Sequence, residues 1–307
     1  MSPNQIERPA KPMGRPRPAS GMSTSVDTRE TAFGYPRDFL ANRFVYIVIS
    51  PRAGGLSIGV NMNPDKACNF DCLYCEVDRK KPGAEARLDI KTMASELRTT
   101  LQTVRSGGLR ELPRYQVLPA HMLQLQHVAL SGDGEPTLTP DFPEVVQRVV
   151  HVRAISGLPF FKVVLITNAT GLDRSPVQQG LRLLTREDEV WAKLDGGTEG
   201  YLARINRPQV PLSKVLANIL LIGRQRPVVI QSLFPAIEGA EPPEGEIGEY
   251  AQRLKELKAG GAQISLVQIY SATRPMSQAL CGHLPLRALS KIAQTVRDVA
   301  GLRVEVF

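Results

Sequence analysis

An α/β fold, a partial (β/α)6 TIM-like barrel, is what this 307-residue sequence predicts. Three observations carry the prediction. Six short apolar runs recur along the chain, most followed by a stretch with helical spacing, and that alternation means a parallel sheet covered by helices. Polar side chains finish nearly every run: Asn61 and Asn63, Ser131, Asn168, Lys193 and Asp195, Gln231, Gln268. Chemistry supplied by the ends of many strands is barrel behaviour, whereas a doubly wound sheet gathers its ligand at one switch point, often behind a Gly-rich phosphate loop that this chain lacks. Six units rather than eight make the barrel incomplete.

Taken in order, residues 1–34 carry Arg-Pro repeats, Ser and Thr without apolar periodicity, and read as a disordered basic arm. Residues 35–307 form the barrel with a C-terminal helix and tail strand. Strands are expected at 56–63, 127–131, 163–168, 190–195, 228–233 and 264–270, from their β-branched content, short length and flanking turn residues. Helices are expected at 90–105, 142–152, 176–184, 212–222, 246–259 and 286–300. Ser213 and the 141–143 segment suit helix starts, and Gly260-Gly261 suits a stop.

Composition excludes two classes. With 42% hydrophobic and 22% charged residues the chain is not disordered as a whole. Its greasiest stretch, 215–236, is broken by Arg224, Arg226 and Pro227, so no run reaches the ~18 residues that span a bilayer. The net charge of +8 hints at a polyanion, but +3 of it sits in residues 1–26, where Arg8, Lys11, Arg15 and Arg17 face Glu7 alone. The leader has no apolar core of a secretory signal, and the cytoplasm is the expected compartment.

Of four cysteines, Cys68, Cys72 and Cys75 fall within one short segment, and Cys281 lies far away. Such clustering in a reducing compartment argues metal or redox chemistry. Three thiolates from one Cys-x3-Cys-x2-Cys loop can reach three corners of a [4Fe-4S] cube, leaving one iron open to a ligand. Zinc is the alternative; it would need Cys281 or one of His121, His127, His151 and His283 as a fourth ligand. Another is a buried helix face, which the spacing also permits. Cys281 is assigned no role.

The cysteine run, with Tyr74 just before its last member, resembles the signature of the radical S-adenosylmethionine (radical SAM) superfamily. Order along the chain agrees: in that family the loop follows the first strand of a partial (β/α)6 barrel, and the second strand ends in a Gly-rich turn with an acidic residue. Here that turn is Ser131-Gly132-Asp133-Gly134-Glu135-Pro136-Thr137, with Asp133 between the glycines. Glycines let backbone approach a ligand, and a carboxylate can receive an ammonium group. The resemblance implies that Cys68, Cys72 and Cys75 hold the cluster and that Glu135 meets the amino group of S-adenosylmethionine, with Gly132 and Gly134 shaping the approach. Asn168, at a strand end, suits ribose or carboxylate, or a turn cap. Trp191, Lys193 and Asp195 share a strand face; Asp195 matches a position near the cofactor in similar proteins, while Lys193 serves substrate or pairs with its neighbour. Ser232 and Gln231 are candidates for the ribose or methionine end, and Tyr74 for the adenine. Arg207 and Arg274, each before a proline, suit a phosphate or simply a solvated rim.

The implied activity is reductive cleavage of S-adenosylmethionine to a 5'-deoxyadenosyl radical for hydrogen abstraction, an oxidoreductase or lyase type of enzyme fed by an electron donor such as flavodoxin or ferredoxin. The run Cys-Asn-Phe-Asp-Cys-Leu-Tyr-Cys-Glu, with Lys-Leu-Asp at 193–195 and Ile-Asn-Arg-Pro at 205–208, is most similar to the wyosine-synthase-like branch, which modifies tRNA. Those enzymes carry further cysteines for a second cluster, and this chain has only Cys281 to spare. tRNA therefore stays one alternative, beside a glycyl-radical activating enzyme and a non-enzymatic iron-sulfur or zinc protein that binds RNA through its arm.

Overall fold

The computed structural model describes residues 39–272 and 281–307. The arm expected at 1–34 and Arg274 lie outside the described residues. Two strands, β1 (Val45–Ser50) and β2 (Gly55–Asn61), open the fold as a hairpin. Then come α1 (Ile90–Arg105), α2 (Pro113–Gln116), β3 (Leu125–Ser131), α3 (Phe142–Ile155), β4 (Lys162–Thr167), α4 (Ser175–Leu181), β5 (Glu189–Lys193), α5 (Glu199–Ile205), α6 (Leu212–Gln225) and β6 (Val228–Leu233). The chain closes with β7 (Ala236–Ile237), α7 (Glu244–Ala259), β8 (Ile264–Tyr270), β9 (Cys281–Gly282), α8 (Leu286–Ala300) and β10 (Val304–Val306).

Eight strands form one sheet in the order β1-β2-β3-β4-β5-β6-β8-β10. All neighbours from β2 to β10 run parallel, and β1 alone is antiparallel to β2. The curled parallel sheet is the half-barrel that the strand-helix alternation predicts. Its six expected strands are β2, β3, β4, β5, β6 and β8, and the tail strand β10 continues the sheet beside β8. β1 lies outside the predicted strands, because an edge strand without a helix of its own carries no signal in the strand-helix alternation. α5 is likewise beyond the predicted helices, although Thr198 is a legible N-cap whose hydroxyl accepts from Tyr201 N.

Strand side chains divide by parity between two faces. Ile47, Ile58, Val60, Val128, Leu130, Val163, Leu165, Ile230 and Val267 are buried against the helices in the large core. Burying each such side chain contributes about 1.5–3 kcal/mol, so this face holds the fold. The concave face carries only a small separate cluster, Val164, Trp191 and Val229, with Ala53, Ile166 and Leu266 packed on it. Ala53 gets there because the Pro51–Ala53 turn of the hairpin folds beneath the curl, tied by Gln268 Nε2 donating to the Arg52 carbonyl at 3.3 Å. Apart from that cluster the concave face is polar, which leaves it open to ligand chemistry. Among the described residues no helix is long and apolar enough to cross a membrane.

Candidate functional site

The cysteine loop leaves the C-terminal end of β2 and is irregular up to α1. Its backbone is pinned on two sides. Glu135 N donates to Ala67 O at 2.9 Å, fixing the loop to the turn after β3. Asp71 N and Leu73 N donate to Asn206 O and Ile205 O at 3.0 and 2.8 Å, and Gln209 N donates to Asn69 O at 3.0 Å, fixing it to the end of α5. The two predicted glycines have a clear purpose here. A Cβ on Gly134 would lie 2.0 Å from Ala67 O, and Gly132 has φ +145° with its Cβ position 2.2 Å from Asn61 Oδ1. They admit the cysteine loop itself. Asp133, the departure between them, is held by Asn61, whose Nδ2 donates to Asp133 Oδ2 at 2.7 Å.

All three loop cysteines are half-buried and unpaired. Phe70 N donates to Cys68 Sγ at 3.4 Å, Asn206 Nδ2 to Cys72 Sγ at 3.3 Å, and Arg79 Nη2 to Cys75 Sγ at 3.7 Å. Every sulfur thus faces an N–H donor, an arrangement that favours thiolate once a cation is present to offset desolvation. Without one, burial pushes the Cys68 thiol up, and burial with the nearby Asp195 pushes Cys72 up to about 12. Among the described residues no three or more His, Cys, Asp or Glu side chains converge to hold a metal ion. A four-iron cube asks something else of its ligands, since each thiolate binds a different iron. Buried polar atoms left without a hydrogen-bond partner include Asn63 Oδ1, Arg79 Nε and Asn206 Oδ1, all on residues that flank this loop. Unsatisfied groups gathered in one place suit a bound group, and the donor set fits a cluster held on three sites.

Beneath the loop, Tyr74 and Asp195 meet each other. Tyr74 OH donates to Asp195 Oδ2, and Asn206 Nδ2 lies 2.9 Å from both oxygens. Asp195 Oδ1 accepts from Leu233 N at 2.8 Å and lies 3.4 Å from Lys193 Nζ. Burial and the adjacent Asp195 hold the Tyr74 phenol well above its ordinary value, so it remains the donor. Burial disfavours the Lys193 ammonium, but Asp195, Tyr270 and Cys72 outweigh it and raise its affinity for the proton. Asn206 was not singled out from sequence, although it sits in the Ile-Asn-Arg-Pro run. Its neighbour Arg207 pairs with Asp71 at 3.1 Å on the exposed rim.

Glu135 is buried, with Oε1 accepting from Thr137 N, Thr137 Oγ1 and Thr167 Oγ1 at 3.1, 2.6 and 2.5 Å, and Oε2 accepting from Asn168 N at 2.7 Å. Burial raises its pKa against those hydrogen bonds. The carboxylate therefore fastens the turn after β3 to the end of β4. Asn168 Nδ2 donates to Asn69 Oδ1 at 2.9 Å, so it too braces the cysteine loop, and its Oδ1 accepts from Thr170 N at 3.0 Å as a turn cap. Ser232 stands apart: its hydroxyl donates to Leu194 O at 2.6 Å and pairs with Tyr250 OH at 2.5 Å, on the helix side of β6. Gln231, of opposite parity, faces the concave side and donates to Gln268 Oε1 at 2.9 Å.

No family model matches this sequence. A UPF0026 protein of Helicobacter pylori strain J99 is 24% identical over 279 residues, covering 84% of this chain and 82% of that protein. A solved radical SAM methyltransferase from Sphaerobacter thermophilus superposes with a TM-score of 0.58 at 16% identity, over 86% of this chain and 68% of that one. TYW1, solved with a lysine-pyruvate adduct bound, gives a TM-score of 0.51 at 14% identity, over 80% of this chain and 74% of that one. At these identities the likeness to the solved structures is one of fold.

Proposed function

We propose, from the premise that this chain carries the radical SAM fold, that it is an enzyme binding a [4Fe-4S] cluster on Cys68, Cys72 and Cys75 and reductively cleaving S-adenosylmethionine. The observation that carries the reading is the placement of three half-buried thiols, each facing an N–H donor, on one loop at the C-terminal mouth of a half-barrel. Held on those three thiolates, such a cluster would supply the one electron needed to cleave the carbon-sulfur bond of S-adenosylmethionine to methionine and a 5'-deoxyadenosyl radical able to take a hydrogen atom from a substrate.

The protein's share is position and shielding. Cys68, Cys72 and Cys75 supply the thiolates, and Arg79, with its guanidinium against Cys75 Sγ and Lys66 O, places positive charge beside them. Glu135 and Asn168 keep the loop registered on β3 and β4, and the Tyr74, Asp195 and Asn206 network fixes its other flank. Asn206 Oδ1 and Asn63 Oδ1 are buried acceptors with capacity left for a bound cofactor. A one-electron donor such as flavodoxin or ferredoxin would complete the reaction.

The test is anaerobic reconstitution with iron and sulfide, then addition of S-adenosylmethionine and dithionite with 5'-deoxyadenosine as the product measured. Cluster absorbance and product beyond a Cys72→Ala control support the reading. Product no greater than in that control overturns it.

A further inference from the structure

We propose that Arg52 and Lys193, set against the ring of Tyr270 on the concave face, form a site for an oxyanion, the carboxylate or phosphate of an organic substrate. As the anchor of a substrate, the site rests on the enzymatic reading above. Arg52 Cζ lies 4.0 Å from the Tyr270 ring centroid and Lys193 Nζ lies 5.5 Å from it. A guanidinium stacked on a ring keeps its in-plane N–H donors available, and two of them match the two oxygens of a carboxylate or phosphate. Among the described residues no hydrogen-bond acceptor and no ion-pair carboxylate partners the Arg52 side chain, which lies on the Tyr270 ring and near enough to His127 to act on it electrostatically.

Charge accounting on this face points the same way. Lys193 pairs with Asp195 at 3.4 Å, but that carboxylate also receives Leu233 N, Asn206 Nδ2 and Tyr74 OH. Asp195 is thus shared among several donors, and Glu189, on the same strand face, is taken by Lys162 and Trp191 Nε1, so neither carboxylate is paired with Arg52. Geometry is fixed in advance as well. The Arg52 carbonyl accepts from Gln268 Nε2, Gln268 accepts from Gln231, and Ala53 packs into the cluster around Trp191. Lys193 Nζ is held by Tyr270 OH at 3.2 Å. An arginine carried beneath a curled sheet on a tied turn, with no ion-pair partner among the described residues, is preorganised for an anion.

Trp191 is the chain's one tryptophan, two residues before Lys193 on the same face, and it reports on this site. The full-length protein, without reductant, is titrated with inorganic phosphate and separately with succinate at constant ionic strength, reading tryptophan fluorescence and heat. Saturable binding is the expected result, weakened about tenfold or more in Arg52→Gln and in Lys193→Met, since each removes a charge-assisted contact. Arg52→Lys keeps the charge without the fork and is expected to fall between; it serves if Arg52→Gln proves unfolded by circular dichroism. Tighter succinate assigns a carboxylate and tighter phosphate a phosphoryl group. No saturable signal, or equal affinity in wild type, Arg52→Lys and Lys193→Met, overturns the proposal. Because the titration needs no cluster turnover, absent 5'-deoxyadenosine with intact anion binding would count against the enzymatic reading alone.

Discussion

Asn206 donates its side-chain amide to Cys72 Sγ at 3.3 Å across 134 positions of sequence. The same nitrogen lies 2.9 Å from Tyr74 OH and from Asp195 Oδ2, so one short side chain serves three acceptors with two hydrogens. Replacing it by Ala leaves buried acceptors without their donor. Asn206→Ala is expected to lose about 1–3 kcal/mol of stability, read from the denaturant midpoint at unchanged slope. Asn206→Asp should lose more, because it sets a second carboxylate beside Asp195. An Ala variant as stable as the wild type would show that the network contributes nothing.

Gly134→Ala tests how the loop is seated. A Cβ there would lie 2.0 Å from Ala67 O, a backbone atom that cannot move aside without displacing the cysteines. Iron and sulfide retained after anaerobic reconstitution should fall to the level of Cys72→Ala. Gly200→Ala, where nothing lies within 4 Å of the added carbon, is the matched control and should retain wild-type iron. Equal iron in both variants would disprove the close packing.

His127 supplies a pH dependence remote from the cysteines. It is buried, with Nε2 2.8 Å from Ser57 Oγ and its ring edge-on to Trp191 at 5.1 Å. Burial lowers its pKa from 6.5 to about 4, with Glu189 opposing and Lys162 and Arg52 adding. The unfolded chain therefore takes up this proton first as pH falls. Stability from the neutral ring is full above pH 6.5 and is lost on the way down to about pH 4, on the order of 3 kcal/mol in all. His127→Gln should flatten melting temperature against pH across that window; an unchanged slope would assign the acid sensitivity to other groups.

Cys281 separates a cube from a zinc site. It is buried in β9, where it pairs with Ile237 of β7. Cys281→Ala is expected to bind iron and sulfide as the wild type does. Loss of bound metal on that substitution, with zinc as the metal recovered, would instead make it the fourth ligand of a closed tetrahedral site.

Much of the fold was legible because its signals are local. Helix α1 is capped by Asp89, whose side chain accepts from Thr92 N at 2.6 Å, and both ends of the helix fall where the apolar spacing places them. The strand β6 likewise runs from Val228 to Leu233, a β-branched run with a proline before it and another soon after. The site was legible in part. Gly132, Gly134, Glu135, Asn168 and Asp195 lie around the cysteine loop and Tyr74 lies within it, and there they grip one another and the loop's own backbone. Ser232 and Gln231 show the limit: adjacent strand residues must face opposite sides, and nothing within the run says which side lies inside the curl.

By itself, the sequence determined the alternation of strands and helices and the grouping of three thiols on one loop, because periodicity and short spacing are properties of neighbouring residues. Only the tertiary structure decided that Asn206 reaches Cys72, that Arg52 is carried beneath the sheet to Tyr270, and that Glu135 clasps the end of β4. Those contacts depend on strand order, register and the curl of the whole sheet, which are fixed by packing the large core between sheet and helices and are written in no single segment.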